Sequence, residues 1–412
     1  MDTPTLTGRN AVIFDDGRGH LAPLRDLRPI FDVRTGAFTT IERFERVLGV
    51  TPVALYAPDE LAAITKARRG GIVGGLAKDH GPVICLNGRC PVPPAAVQSL
   101  GEGAALVETN TGDIIAAHLD AADAIKLMDH LLAGGDRPDM EEVGIDGRVL
   151  MNRPWHWRPA RDDLIRLDLK FLEREIPQLT DPPAGVTVIG KWPPRVHERA
   201  TLHPGTIFDT TKGTIVIDEG AEIRPGAIIS GQVYIGQDTI VLDRAIIKPD
   251  TAIGPVCKVA GEVGGTIFQG FSNKAHDGYL GDSFLGEWVN LGASTVNSNL
   301  LNTYGDIKAV AQPGGQPERT GEMFLGCTLG DHVKTAIGTR IMTGVVAHTG
   351  AMWADTEPMT GCIEPFCWAT PKERSRYKLD AFLTVAQAMM HRRAISASNA
   401  VTERIKTLHA AQ

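Results

Sequence analysis

The sequence is poor in most features that would announce a location or a partner. It has only six cysteines in 412 residues, none in a C-x-x-C pair, so neither a disulfide framework nor a zinc knuckle is expected. Aromatic residues make up 6%. No apolar run approaches the roughly 20 residues of a membrane span, and mean hydropathy is -0.06. The first residues, Met1 to Arg9, are polar and lack the apolar centre of a signal peptide. Basic residues are not in excess: 42 Lys and Arg face 49 Asp and Glu, a formal net charge of -7. Such a surface offers no electrostatic footprint for nucleic acid or an anionic membrane. Secretion, membrane spanning and genome binding are therefore set aside, and a cytoplasmic protein is expected.

What the chain does contain is a period of six. Steps from Ile217 reach Ile223, Ile229, Ile235, Val241, Ile247, Ile253 and Val259, every one β-branched and aliphatic. Four residues after each of the first seven come Ala221, Ala227, Val233, Thr239, Ala245, Thr251 and Cys257, all small. With aliphatic residues near one in four, the first row alone has a chance probability on the order of 10⁻⁵. Neither a helix nor an ordinary strand has this period. It fits a hexapeptide β-solenoid, in which each unit gives one short strand and a corner and three units close a triangular coil. A valine- and isoleucine-rich sandwich would space these residues irregularly.

The phase breaks between Ala260 and Asn273, returns at Leu285 and Leu291, and continues raggedly through Leu329 and Ile337. Asn297 to Phe324 is too long and polar for a coil and is read as a loop leaving the solenoid. Upstream, Ala11–Phe14, Val53–Tyr56, Val83–Leu86 and Ile114–Ile115 read as strands. They alternate with helical patterns at Thr40–Leu48, Glu60–Arg69 and Ala121–Leu132. That alternation predicts an α/β layer with a mostly parallel sheet. The expected divisions are an α/β domain over 1–140, a helical linker over 141–200, the solenoid over 201–370 and a C-terminal helix over 371–412.

Chemistry concentrates where the repeat breaks. Ser272-Asn-Lys-Ala-His-Asp-Gly-Tyr-Leu-Gly-Asp282 is followed by Asn290-Leu-Gly-Ala293 and Asn299. Polar groups at a coil edge are costly unless paired or used. A neutral imidazole at His276 suits proton removal near neutrality. On spacing alone, the alternative is a corner histidine bonded to a backbone carbonyl.

The motif His276-x-x-Tyr279-Leu-Gly-Asp282, with Asn290-Leu-Gly-Ala293 and Asn299, resembles the acetyltransferase half of the bifunctional bacterial enzymes of UDP-N-acetylglucosamine synthesis. With Gly286-Glu-Trp288, Asn297-Ser-Asn-Leu300, Gly330-Asp-His332 and Arg392-Arg393, the chain is similar to the related sugar nucleotidyltransferases that have a short N-terminal domain. The resemblance implies a nucleotidyltransferase-like α/β domain, a left-handed parallel β-helix and a C-terminal α-helix. It also implies acetyl transfer from acetyl-CoA to glucosamine 1-phosphate, with His276 as general base. Tyr279 and Asn290 would bind the sugar phosphate, Asn299 would hold sugar or base, the Ala293 amide would face the thioester oxygen, and Lys274 and Lys308 are phosphate candidates. The basic residues expected on the preceding coils find no clear counterpart among Arg224, Arg244, Lys248 and Lys258. A homotrimer is implied, with small-molecule substrates and neither nucleic acid nor membrane as partner.

In the N-terminal part, Gly17, Arg18, Gly19 and Arg28 stand where the resemblance puts a nucleotide loop and its basic residue. Mg²⁺ would serve if this domain were active, yet the position expected to supply a metal-binding Asp coincides with Asn87-Gly88-Arg89. Asp15, Asp16, Glu108 and Asp113 are substitutes. Two alternatives stay open: acetyl transfer to another amino-sugar phosphate or nucleotide sugar beside a non-catalytic N-terminal domain, and a non-enzymatic trimeric scaffold. Zinc held by His276, His332 and His348 is not expected, since their spacing contains no close pair.

Overall fold

The aliphatic row turns inward. In the computed structural model, which describes residues 3–412, all eight residues from Ile217 to Val259 are fully buried. They stack from coil to coil in unbroken register, with Ile217 beside Ile235, then Ile253, Phe268, Leu285, Leu329, Ala347 and Ile363. Burial of each such side chain contributes about 1.5–3 kcal/mol, available only because a neighbouring coil covers it. The result is a left-handed, three-sided β-helix whose faces are parallel sheets. One sheet runs in nine strands from Arg195–Val196 to Cys362–Ile363, and a second in six from Thr187–Ile189 to Tyr279–Gly281. The third runs from Thr201–Leu202 to Asn273–Lys274 and passes through Asn290 to Lys334–Thr335.

The phase break has a simple cause. Ile235 and Ile253 are 18 positions apart, whereas Ile253 and its partner Phe268 are 15 apart, so one coil is shorter. The excursion from Asn297 to Phe324 leaves between coils as expected, but it is not a free loop. Lys308–Ala309 pairs antiparallel with Glu318–Arg319. Ile307, Ala309, Ala311 and Leu325 pack on Leu24, Trp155 and Trp157 of the upstream segment.

The N-terminal sheet comprises β1 (Asn10–Phe14), β2 (Thr51–Tyr56), β3 (Val83–Asn87), β4 (Ala104–Glu108), β5 (Ile114–Leu119) and β6 (Glu141–Ile145). Its order is β2-β1-β3-β5-β4-β6. The sheet is mostly parallel as expected, with five strands in one direction, but β5 runs antiparallel to both β3 and β4 and makes it mixed. A short turn from Glu108 to Asp113 joins β4 to β5 as a hairpin, which forces that direction. The sequence reading missed β6 because it is an exposed edge strand, rich in Glu and lacking alternation.

Helix α1 (Thr40–Arg43) opens with a Thr39/Glu42 capping box. Helices α2 (Asp59–Arg69), α3 (Ala121–Ala133) and α4 (Arg161–Leu172) match the helical readings. Between the domains, α4 lays Ile165, Leu169 and Leu172 on Val216, Tyr234 and Ala252 of the solenoid. The single C-terminal helix expected over 371–412 is two helices, α5 (Leu379–His391) and α6 (Asn399–Ala410), preceded by a strand at Arg374–Arg376. Ala394 takes a left-handed φ of 54° and the Ile395 N–H returns to the Met390 carbonyl, which closes α5. The Ser398 hydroxyl then caps α6 by accepting from the Val401 N–H at 3.2 Å.

Candidate functional site

The motif residues form three groups. The first is a cavity of about 330 Å³ at one corner of the prism, where Leu242, Asp243, Ala260, His276, Asp277 and Ala293 meet. The His276 side chain is exposed into it. The Ala293 carbonyl is taken by the Gly338 N–H at 2.7 Å, and no acceptor for the Ala293 N–H lies among the described residues. Thus His276 and Ala293 line one concave space. The corner needs Gly278: its φ is 123°, and a Cβ there would lie 2.3 Å from the Thr295 carbonyl oxygen.

Lys274 lies beneath this corner. It takes an inward coil position in register with Val259, almost wholly buried, and its ammonium donates to the carbonyls of His276 and Ala260. Burial pulls its pKa down to about 8 against the opposing pull of Asp277. Lys274 thereby holds the backbone of His276 instead of facing solvent.

The second group is on the adjoining face. The Asn299 amide donates to the Tyr279 phenol oxygen at 3.0 Å and to Asp282 Oδ2 at 2.7 Å. Gly281 makes room for that phenol, since a Cβ there would fall 2.1 Å from the Tyr279 hydroxyl. Partial burial, with Asp282 and Glu262 nearby, raises the Tyr279 pKa and keeps the phenol a neutral donor. Asp282 itself is held by Arg161 Nη1 at 2.8 Å and Arg158 Nε at 3.1 Å. Neither arginine carries a sequence signal; both come from the segment between the domains.

Asn290 belongs to the third group. Its Oδ1 accepts from the Asn273 amide at 3.3 Å, and Asn273 Oδ1 accepts from Arg393 Nη2 at 2.8 Å. Lys334 continues the same column, with burial pulling its pKa down to about 8. Lys308 is exposed on the excursion hairpin, joined to none of these groups by a hydrogen bond.

In the N-terminal domain, Gly17 and Gly19 take left-handed φ values of 70° and 80°. The N–H groups of Gly17 and Arg18 donate to the Asp15 and Asp16 carboxylates at the end of β1. Arg28 is placed elsewhere: fully buried, it pairs with Asp331 at 2.8 Å and Glu287 at 3.2 Å across the domain boundary. The residues present do not fit Mg²⁺. The Arg89 guanidinium grips Asp16 through Nε at 2.9 Å and Nη2 at 2.7 Å, and reaches Asp113 at 2.6 Å. Burial alone would raise the Asp113 pKa, but Arg89 and Arg18 hold it below the usual carboxylate value. Asp15 accepts from Ile30 N–H and Arg25, and Glu108 caps the Val149 and Leu150 amides. Among the described residues, no three His, Cys, Asp or Glu side chains converge on a metal position. His332 and His348 are both buried, and no helix of the described residues is long and apolar enough to cross a membrane.

Fold and site define a two-part architecture: a nucleotidyltransferase-like α/β domain packed on a hexapeptide solenoid with a polar corner. Residues 11–176 match the family model described as "Sugar nucleotidyl transferase". The chain is similar to the "Bifunctional protein GlmU" of a Nostoc species, with 29% identity over 185 residues covering 39% of this chain and 40% of that protein. It is also similar to the "Bifunctional sugar-1-phosphate nucleotidylyltransferase/acetyltransferase" of Sulfurisphaera tokodaii, with 34% identity over 145 residues, 34% of this chain and 36% of that protein. The chain thus spans about two fifths of the length of the curated relatives it matches. Among solved structures, a hexapeptide transferase family protein from Anaplasma phagocytophilum aligns with 55% of this chain and 94% of its own, at 12% identity and a TM-score of 0.25. Over the matched stretches the chain is therefore similar to these bifunctional proteins at modest identity.

Proposed function

We propose that the protein transfers an acetyl group from acetyl-CoA to the amine of glucosamine 1-phosphate, with His276 as general base. The observation that carries this reading is the cavity lined by His276 and Ala293, with the Tyr279–Asn299 pair on the adjoining face. The substrate ammonium gives a proton to the His276 imidazole, and the free amine attacks the thioester carbonyl carbon. Charge collects on the carbonyl oxygen, where the Ala293 N–H donates. The C–S bond then breaks, the CoA sulfur leaves and takes a proton, and the amide remains. Such a base contributes roughly 10²–10⁴-fold, and one donor at the oxyanion roughly 10²–10³-fold. Tyr279 and Asn299 hold the sugar phosphate. Asn290 binds it from the Asn273 column, Lys308 remains a candidate for the phosphate, and Lys274 supports the base.

For the N-terminal domain the relatives' names point to nucleotidyl transfer. Arg89 between Asp16 and Asp113 favours a second reading, in which Gly17, Arg18 and Gly19 bind a nucleotide or nucleotide sugar without transferring it. No step is assigned to Mg²⁺. The same proposal makes the protein a cytoplasmic homotrimer, with a solution mass three times the 44.2 kDa chain. The test is a paired assay on purified protein. CoA release with acetyl-CoA and glucosamine 1-phosphate is expected. Its absence, with CoA released on another amino sugar, would move the acceptor. Pyrophosphate release from UTP and N-acetylglucosamine 1-phosphate would overturn the second reading of the first domain.

A further inference from the structure

The solenoid site is not built by the solenoid alone. Asp282 sits at a prism corner with a left-handed φ of 46°, and its two carboxylate oxygens face different partners. Oδ2 accepts from Asn299, which also reaches the Tyr279 phenol. Oδ1 accepts from Arg161 Nη1 and is paired with Arg158 Nε. Arg161 is the first residue of α4 and is only 3% exposed, with further bonds to Asp162 and the Gly265 carbonyl. Arg158 is tied by the same nitrogen to the Phe324 carbonyl, where the excursion rejoins the solenoid. Helix α4 is fixed from the other side. Arg43 of the N-terminal domain takes Asp168 through both Nε and Nη2 at 2.8 and 2.7 Å, and the Phe38 N–H donates to the same carboxylate. Helix α4 therefore carries two charged clusters, Arg43–Asp168 toward the N-terminal domain and Arg161–Asp282 toward Asn299.

We infer that Arg161 and Arg158 are positioning residues for the sugar-phosphate side of the site, setting Asp282 and through it the Asn299–Tyr279 pair; this rests on the reading that this pair holds the sugar phosphate. Two physical effects are combined. A carboxylate with one oxygen fixed by two guanidiniums presents the other in a single direction, so the Asn299 amide is oriented before substrate arrives. The two positive charges also offset the negative charge of Asp282, which would otherwise repel a phosphorylated sugar from a site one hydrogen bond away. The N-terminal domain and its linker helix are in this sense part of the acetyl-transfer site, whatever the fate of the nucleotide loop.

The test uses full-length Arg161→Met, Arg158→Met and Arg161→Lys proteins. For the two Met variants the KM for glucosamine 1-phosphate is expected to rise about tenfold. The KM for acetyl-CoA should stay at the wild-type value and kcat should change little. Arg161→Lys should recover part of the loss. A sugar-phosphate KM within twofold of wild type in both Met variants, or equal losses for both substrates, would overturn the inference. A crystal structure of Arg161→Met supplies a readout free of turnover: the Asn299 amide should leave hydrogen-bond distance of the Tyr279 hydroxyl. An unmoved Asn299 overturns the inference even if wild-type protein acetylates a different amine. A wild-type protein silent on every amine would instead sink the acetyl-transfer reading, with the Asn299 position still deciding this one.

Discussion

At the residue scale, His276 and Lys274 are two positions apart and do opposite things. His276 is exposed at the cavity and makes no side-chain bond that the fold depends on. His276→Ala should therefore lower kcat roughly 10²–10⁴-fold, with a melting curve superimposable on wild type. Lys274 is inside the prism and its pKa is lowered to about 8 by burial. An unfolded lysine titrates near 10.4, so between about pH 8 and 10 the unfolded chain binds more protons than the folded one. Stability should rise with pH across that window, with a slope up to about 1.4 kcal/mol per pH unit from this group. Denaturant titrations of wild type against Lys274→Met should show that slope in wild type and a shallower one in the variant. The lysine was visible in the sequence as part of Ser272–Asp282, but its direction was not. Register with Val259 decides whether position 274 points in or out, and the shortened coil before it hides that register from a six-residue count.

At the element scale, the solenoid was legible because stacking imposes one period on the coils from Ile217 to Val259 and leaves the same residue class at each inward position there. In the N-terminal sheet β1, β2, β3 and β5 read as apolar runs, whereas exposed β6 and the buried but alanine-rich β4 did not. The break between α5 and α6 depends on Ala394 and Ser398, neither of which stops a helical pattern by itself. Arg89 shows how far element-level reading can reach. The sequence placed a cation where a metal ligand was expected, and the structure shows it joining the end of β1 to the start of β5. Removing it leaves buried Asp16 without its guanidinium and Asp113 with Arg18 alone. Arg89→Ala should lose about 3–5 kcal/mol in chemical denaturation, and added Mn²⁺ should restore part of it. Wild-type stability should be indifferent to both Mn²⁺ and EDTA, and a wild-type response to either would contradict the guanidinium's role as the resident cation.

At the scale of the whole molecule, the boundary between domains is held by charged groups that no local pattern announces. Arg28 bonds Asp331 across 303 positions, and Arg68 bonds Glu287 at 2.9 Å. Beside them His332 is buried among Trp288 and Phe382, and burial with the Lys334 charge pushes its pKa down to about 3. An unfolded histidine titrates near 6.5, so the unfolded chain takes up a proton first as pH falls. Stability is present above about pH 6.5 and is lost progressively toward pH 3. His332→Phe, which keeps an aromatic ring there, should flatten the acid limb of the stability profile; an unchanged limb would assign acid loss to the carboxylates and to the other buried histidines, His156 and His348.

The grip of the N-terminal domain on the prism is not spread evenly. Its polar contacts fall on the middle coils, at Gln269, Asp282, Glu287 and Asp331, while α4 covers the coils of Val216, Tyr234 and Ala252. The opening turn, Thr187–Leu202, has a coil on one side only, and the linker holds it: Gln178 bridges Arg195, the Val196 N–H donates to the Pro177 carbonyl, and Leu179 packs on the core. Mechanically the protein is a rod held by a strap at its first turn and by a charged clamp at its middle. Strain or heat would have to lift the strap before the first turn could peel, while the clamped coils, which carry the polar corner, would yield last.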